Sequence, residues 1–469
     1  MTKVELRATW GLVAIFILRM LGIFMVLPVL TTYGMKLHNA DQSLIGLAIG
    51  IYGLVQSICQ IPIGMASDRL GYKLLIIVGL LIFTLGSIIA ALTDSIWGII
   101  FGRAVQGIGT ITAAVMAMLS DLTMEQNRTK AMAVIGISFS LAFAIAIVLG
   151  PIITSTIGLS GLFWCITMLT MTSVIIALLT LPTSNRYKLN RESNIICSSI
   201  ATILLNKQLL KLNFGIFCLH SILMFNFVVL PQNMMNMGFL PADQWKIYLI
   251  AVLISFFVVM PCIVYAEKKQ SIKKIFICGV TILLCAQISL LAAGFNRLIF
   301  LIGIQLFFLS FYLMEGLLPS LISKVAPPSL KGTAMGFYST SQFIGVACGG
   351  IIGGWLFSLP EGASLVFIAS ISIVLAWLFV SLTMSEPPYV TSIIISVPPN
   401  IIGIKQLITH QLLTEQAVKE VLIIPEENSA YLKVDTKYAK PALIDKLKKI
   451  VNNNVIPTDR CENSSIKDT

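Results

Sequence analysis

The chain has 469 residues, 57% of them hydrophobic and only 11% charged, with a formal net charge of +11. A soluble domain carries about 25% charged residues, so this composition excludes a globular enzyme as the main body. The positive charge falls on one side of the apolar runs described below, so it reports topology and implies no nucleic-acid partner. Nine cysteines occur without C-x-x-C spacing or a Cys/His cluster, which implies neither a disulfide framework nor a metal site, and no cofactor.

Apolar runs of about 20 residues, the length that crosses a bilayer, follow one another to Met384. The pattern predicts twelve spans, at 8–35, 43–66, 73–93, 96–122, 129–156, 160–182, 209–237, 243–266, 272–294, 297–323, 331–358 and 362–384. The first is too long for a signal-peptide core and lacks a small-residue cleavage site, so it is expected to be retained. Connections are short except for 183–208, a polar linker whose apolar piece Ile195 to Leu205 suits a helix lying on the membrane surface. Seventeen Lys and Arg residues fall on one side of these spans, among them Lys3, Arg69, Arg128, Arg191, Lys268 and Lys331, against Lys36, Lys246 and Arg297 on the other. Lys and Arg mark cytoplasmic loops, so both termini are expected in the cytoplasm.

The chain repeats itself. Ser120…Ala131-Met132 before span five is echoed by Ser320…Ala334-Met335 before span eleven, and Gly150-Pro151 by Gly353-Gly354, each 18 residues past its methionine. Pro62 precedes Asp68-Arg69 by six residues, as Pro261 precedes Glu267-Lys268. The two echoes predict halves of six helices each, at 1–182 and 209–384. Membrane proteins duplicated in this way hold a solute at the midplane between halves and rock one half against the other.

After Met384, Glu386-Pro387-Pro388 ends the last helix. Ile393 to Val397, Val421 to Ile424 and Tyr431 to Val434 read as strands, and Asn400 to Leu413 and Pro441 to Val451 as helices, with a further short strand possible near Val455. The order predicts a small α+β domain of the ferredoxin-like type at 391–456, followed by a disordered tail at 457–469. Its surface mixes Lys405, Lys419 and Lys437 with Glu415, Glu420 and Glu426 and holds no metal-ligand pair.

The most specific motif lies between spans two and three: Gly64-Met65-Ala66-Ser67-Asp68-Arg69-Leu70-Gly71-Tyr72-Lys73. Its glycines permit a tight turn and close helix contact, Asp68 suits a helix N-terminus, and Arg69 and Lys73 suit acids or lipid phosphates. This segment resembles the G-x-x-x-D-R-x-G-x-[RK] signature of the major facilitator superfamily. Arg103-Ala104-Val105-Gln106-Gly107-Ile108-Gly109 resembles that family's R-x-x-x-G-x-G motif, and Gly150-Pro151 the G-P motif of its proton-driven antiporters, although Ala146 stands where that motif prefers glycine. The segments at 7–11, 19–22, 25–35, 125–133 and 338–343 extend the resemblance to the YajR type, over residues 1 to about 450. It implies an all-α polytopic body with a C-terminal YAM domain and a multi-pass location in a bacterial inner membrane, and it leaves the substrate open. The position of the motif in a cytoplasmic turn between two helices makes Gly64, Asp68, Arg69, Gly71 and Lys73 an expected conformational gate.

Ionisable residues deep within the spans are Arg19, Arg103, His220 and Glu315. Charges there are costly and usually face a cavity or a partner. In the resemblance, helices one, four, seven and ten line a central cavity, and these four residues fall one on each. Arg19, His220 and Glu315 are expected near one depth, with Arg103, beside Gln106, nearer the outer face. Glu315 is the sole deep carboxylate. Apolar walls favour its neutral form and a nearby Arg19 its ionised form, the competition a proton-coupled site requires. Phe24, Phe225 and Phe311 read as packing residues.

These readings converge on a secondary transporter that is not an enzyme, with a small-molecule substrate, protons and membrane lipids as partners. The expected form is a monomeric, proton-driven antiporter exporting a small solute, with a C-terminal domain that is either regulatory or oligomerising or a passive appendage. A solute importer or symporter, and a transporter-like sensor signalling through that domain, share the same sequence features. A membrane enzyme would need a catalytic cluster at the interface, and the loops hold none.

Overall fold

The computed structural model describes residues 3–122, 125–182, 205–326, 331–386, 390–396, 405–415, 417–424, 429–435 and 446–447. The surface helix expected within the linker, most of the second C-terminal helix, the strand near Val455 and the tail at 457–469 lie outside these residues, as do the side chains of Asp68 and Arg69. The chain divides into two compact units, Met1–Glu386 and Pro387–Thr469.

The first unit is helical. Its elements are α1 (Lys3–Phe24), α2 (Leu27–Tyr33), α3 (Gln42–Leu70), α4 (Tyr72–Leu92), α5 (Ile96–Ile108), α6 (Thr112–Leu122), α7 (Glu125–Thr180), α8 (Lys207–Asn236), α9 (Gln244–Lys268), α10 (Ile272–Ala292), α11 (Arg297–Val325), α12 (Lys331–Phe357) and α13 (Gly362–Leu382). Among the described residues, eleven helical stretches are long and apolar enough to cross a membrane. One of them, Val134–Thr180, runs for 47 residues, or ~70 Å at 1.5 Å per residue, against a hydrocarbon core of ~30 Å. It is interrupted at Gly158, whose φ of 76° and ψ of 179° are non-helical and suit glycine.

Two predicted spans are broken in the middle. Span one parts at Met25–Val26, because Pro28 in the first turn of α2 has no N–H to continue the ladder from α1. Span four parts between α5 and α6, around Gly109 to Ile111. Two glycines and the β-branched run Ile108, Thr110, Ile111, Thr112 make this a weak helical stretch.

The two turns that share the acid-basic pair in the sequence also share a backbone feature. Gly71, between α3 and α4, has φ 89°, and Gln270, between α9 and α10, has φ 52°. Each lies three residues after the acid of its turn, Asp68 or Glu267. In the second turn, Lys324 Nζ lies 3.1 Å from Glu267 Oε1.

The first half of the unit (α1 to α7) meets the second (α8 to α13) most extensively where α3 lies along α12. The contact is backbone on backbone. A Cβ added at Gly50 would stand 2.7 Å from the Ala347 carbonyl oxygen, and one at Gly350 would stand 2.6 Å from Gly50 Cα. One turn further along, Gly46 abuts Gly354. Helix pairs in lipid associate through such small residues, because close approach replaces the hydrophobic drive available in water.

The second unit contains β1 (Val390–Ser396), α14 (Lys405–Leu413), β2 (Val418–Ile424) and β3 (Ser429–Asp435). The sheet order is β1-β3-β2, with both pairings antiparallel. Alternation puts Ala430, Leu432 and Val434 of β3 on one face, buried with Ile395, Leu412, Val418, Ile423 and Leu447. Lys446 Nζ pairs with Glu415 Oε1 at 2.7 Å.

Candidate functional site

Glu315 of α11 and His220 of α8 meet in the interior, 7% and 1% exposed. Glu315 Oε2 lies 4.0 Å from His220 Nε2 and has no hydrogen-bond partner among the described residues. His220 Nδ1 is 3.3 Å from the Ile216 carbonyl oxygen. A carbonyl only accepts, so Nδ1 carries the ring proton. Nε2 then accepts from Gln342 Nε2 of α12, 2.8 Å away. Both contacts are satisfied by a neutral ring protonated at Nδ1, and a second proton on Nε2 would require the Gln342 amide to turn its oxygen inward. Three elements, α8, α11 and α12, build this cluster. Gln342 lies within a segment that carries the family resemblance, but its bond to His220 depends on two helices meeting at one rotation.

Arg19 and Arg103 converge on Tyr52 of α3. Arg19 Nη2 donates to Tyr52 Oη at 3.3 Å, Gln56 Oε1 at 3.4 Å and the Gly109 carbonyl at 3.3 Å. Its guanidinium also lies 5.4 Å from the centre of the Phe83 ring. Arg103 covers the Tyr52 ring face at 4.6 Å. It donates from Nη1 to Gln106 Oε1 at 2.9 Å and from Nε to the Ala48 carbonyl at 3.4 Å. Gln106 in turn donates to Ser87 Oγ at 2.8 Å. Tyr52 gave no signal in the sequence, since an aromatic residue in an apolar span reads as packing.

The expected approach of Arg19 to Glu315 is not found. Among the described residues no carboxylate lies within ion-pair distance of Arg19, and the basic side chain beside Glu315 is His220. The physical reason is local: Arg19 is taken up by Tyr52, Gln56 and the Gly109 carbonyl of its own half. Aromatic rings from both halves close around the histidine instead. Phe139 and Phe311 lie 6.3 and 5.9 Å from its ring, Phe143 bridges Phe24 and Phe311 at 5.1 Å each, and Phe227 stands 6.1 Å from Phe143. Phe24 and Phe311 therefore pack as expected, Phe24 against Phe139 and Phe143 within the first half and Phe311 against Phe143 across the boundary between halves.

The motif residues lie apart from this cluster. Gly64 faces α6, where an added Cβ would stand 3.4 Å from Ala113 Cβ. Gly71 makes the turn into α4 with its positive φ. Lys73 Nζ donates to the Leu181 and Leu178 carbonyls at 2.7 and 3.2 Å, capping the end of α7 as a cation does at a helix C-terminus. Gly150 of α7 abuts the Met25 carbonyl at the break in span one. Pro151 follows it inside the helix, and Thr154 Oγ1 donates back to the Gly150 carbonyl at 2.9 Å. A cavity of about 420 Å³ opens elsewhere, at the far end of the first half, lined by Lys36, Asp94 and Ser160 among others.

Comparison with known proteins identifies the family of the chain. Residues 12–346 match the profile of the Major Facilitator Superfamily, and residues 393–449 that of the YajR YAM domain. The chain is 54% identical over 437 residues to the inner membrane transport protein YajR of Escherichia coli strain K12, covering 93% of this chain and 96% of that one. It is 41% identical over 361 residues to an uncharacterized transporter of Buchnera aphidicola subsp. Baizongia pistaciae, covering 75% and 90%. Among solved structures, a D-xylose-proton symporter shares the fold with a TM-score of 0.65 at 15% identity, covering 81% of this chain and 97% of that one. The chain belongs to the major facilitator superfamily of secondary, alternating-access transporters, in its YajR subfamily with a C-terminal YAM domain.

Proposed function

We propose that the protein is a proton-driven antiporter that exports a small solute, with Glu315 as the proton-carrying group and His220 as its relay. The observation that carries this reading is the buried pair itself: a carboxylate with an unpartnered oxygen 4.0 Å from an imidazole nitrogen, on facing helices of the second half. A carboxylate in the membrane interior sheds its charge by taking a proton or by pairing with a cation. Arginine keeps its proton, so Glu315 and His220 are the described deep groups that can exchange one. Their ring of aromatic side chains from both halves couples proton occupancy to the way the halves meet. Arg103 and Gln106 brace α5 against α3, and Gly150-Pro151 fits span five to the break in span one.

The same reading carries a topology. The Gly158 interruption supports counting Val134–Thr180 as two crossings, hence twelve in two halves of six, 1–182 and 209–384, joined by the linker 183–208. The charge asymmetry supports cytoplasmic termini, and the similarity to an inner membrane transport protein supports that membrane. The turn at Gly64, Asp68, Arg69, Gly71 and Lys73 then lies on the cytoplasmic side and gates access. The β1-β3-β2 order supports a ferredoxin-like domain at 391–456, for which we propose a regulatory role on a monomeric transporter.

The test uses the purified chain in liposomes loaded with a pH-sensitive dye. Candidate solutes are scored by dissipation of an imposed pH gradient. Glu315→Gln is expected to abolish gradient-driven flux while solute exchange down its own gradient persists. Unchanged pH coupling in that variant moves the proton to another group and leaves Glu315 a structural acid.

A further inference from the structure

Arg19 is completely buried, yet its hydrogen bonds leave from a single nitrogen. Nη2 makes all three, while Nε and Nη1 have no partner among the described residues. A purely structural arginine would be expected to spend its donors, as Arg103 does from both Nε and Nη1. Arg19 also has no carboxylate within ion-pair distance among the described residues, because the one deep acid, Glu315, stands beside His220. A permanent cation held in this way in the membrane interior needs an anion.

Beyond the three acceptors of Arg19 Nη2, further donors of the same elements are unspent. Gln56, which accepts from Arg19, keeps a buried, unpartnered Nε2. The carbonyl that takes Arg19 Nη2 belongs to Gly109, at the break between α5 and α6. Immediately after it, Thr110 and Thr112 each bury a hydroxyl without a partner. Thr112 opens α6, an 11-residue helix, and the first N–H groups of a helix point outward with the positive end of its dipole. A discontinuous membrane helix whose half-helix starts at a bound anion is a recurrent way of building a solute site. Tyr52, which touches both arginines, lies 6.3 Å from Phe343 of α12, so the cluster borders the second half.

We propose that Arg19, with Gln56, Thr110 and Thr112 at the start of α6, binds an oxyanion group of the transported solute, a carboxylate or a phosphate. The inference rests on the transporter reading but names the chemistry of its cargo: an organic anion, held by the first half. The solute's charge then satisfies Arg19 while Glu315 in the second half carries the proton.

The test is equilibrium binding without any gradient, so it is independent of proton coupling. The purified full chain in detergent is melted with sodium benzoate, sodium phosphate, neutral benzamide or benzylammonium chloride. The expected result is saturable stabilisation by benzoate or phosphate, with neither benzamide nor benzylammonium matching it. Arg19→Gln should weaken the anion response at least tenfold, and Arg19→Lys should retain part of it. Thr112→Val, which keeps the side-chain volume, should weaken it about threefold, and it carries the test if Arg19→Gln does not fold. Lys324→Gln, which removes a cation already paired with Glu267, should change nothing. No anion response in the wild type, an equal response to benzamide, or a response untouched by both Arg19→Lys and Thr112→Val overturns the proposal. Anion binding through Arg19 without pH-driven flux would leave this site standing and reject the proton-coupled reading instead.

Discussion

The seam between α3 and α12 offers a measurement in which two physical effects oppose each other. Replacing Gly50 by alanine adds one methyl group. It would stand 2.7 Å from the Ala347 carbonyl oxygen, 2.8 Å from Ile351 Cγ1 and 2.9 Å from Ile351 N. Ordinary contact begins near ~3.4 Å, so two helix backbones must part by roughly 0.5 to 0.7 Å, and overpacking of this kind costs about 1–3 kcal/mol. Alanine is also a better helix former than glycine by about 0.5–1 kcal/mol. The net effect is roughly 0 to 2.5 kcal/mol against the packed seam, and 1 kcal/mol is already about a fivefold change in population. Gly136 of α7 supplies the control, because an added Cβ there meets nothing within 4 Å and only the helix-forming gain remains. Melting of the purified protein in detergent should place Gly50→Ala below Gly136→Ala. Hydrogen exchange over 42–53 and 343–354 should rise in Gly50→Ala, because an arrangement with the seam parted does not feel the methyl. If the two variants are stabilised alike and exchange is unchanged, the backbone contact does not hold the halves together.

Two further outcomes concern the proposed gate and the domain boundary. Asp68→Asn should lower solute flux in vesicles several-fold while equilibrium solute binding stays within about twofold, and a proportional loss of binding would remove the gating role. Truncation after Met384 should leave a monodisperse membrane body by size exclusion, since the chain divides at Glu386, whereas aggregation of the truncated chain would make the C-terminal unit a structural brace.

What the sequence determined by itself is what short-range physics controls. Runs of apolar residues give the spans to within a few positions, because every backbone group in lipid must be bonded within its own helix. Predicted limits of 272–294 and 362–384 compare with Ile272–Ala292 and Gly362–Leu382. Gly71 announces a turn because its positive φ suits glycine, and the four deep ionisable residues stand out because charges are rare where lipid surrounds the chain. The breaks in spans one and four are legible in hindsight in Pro28 and in the Gly109 to Thr112 run, but hydropathy averages over them. The tertiary structure alone decided which of these residues meet. His220 finds Glu315 and Gln342 through the rotation of three helices, and Arg19 turns to Tyr52, Gln56 and the Gly109 carbonyl of its own half. An apolar span carries little signal for its rotation, because lipid-facing and buried positions are equally hydrophobic. Which faces touch is settled by fit between helices far apart in sequence, as at Gly50 and Gly350, where the absence of side chains brings two backbones into contact.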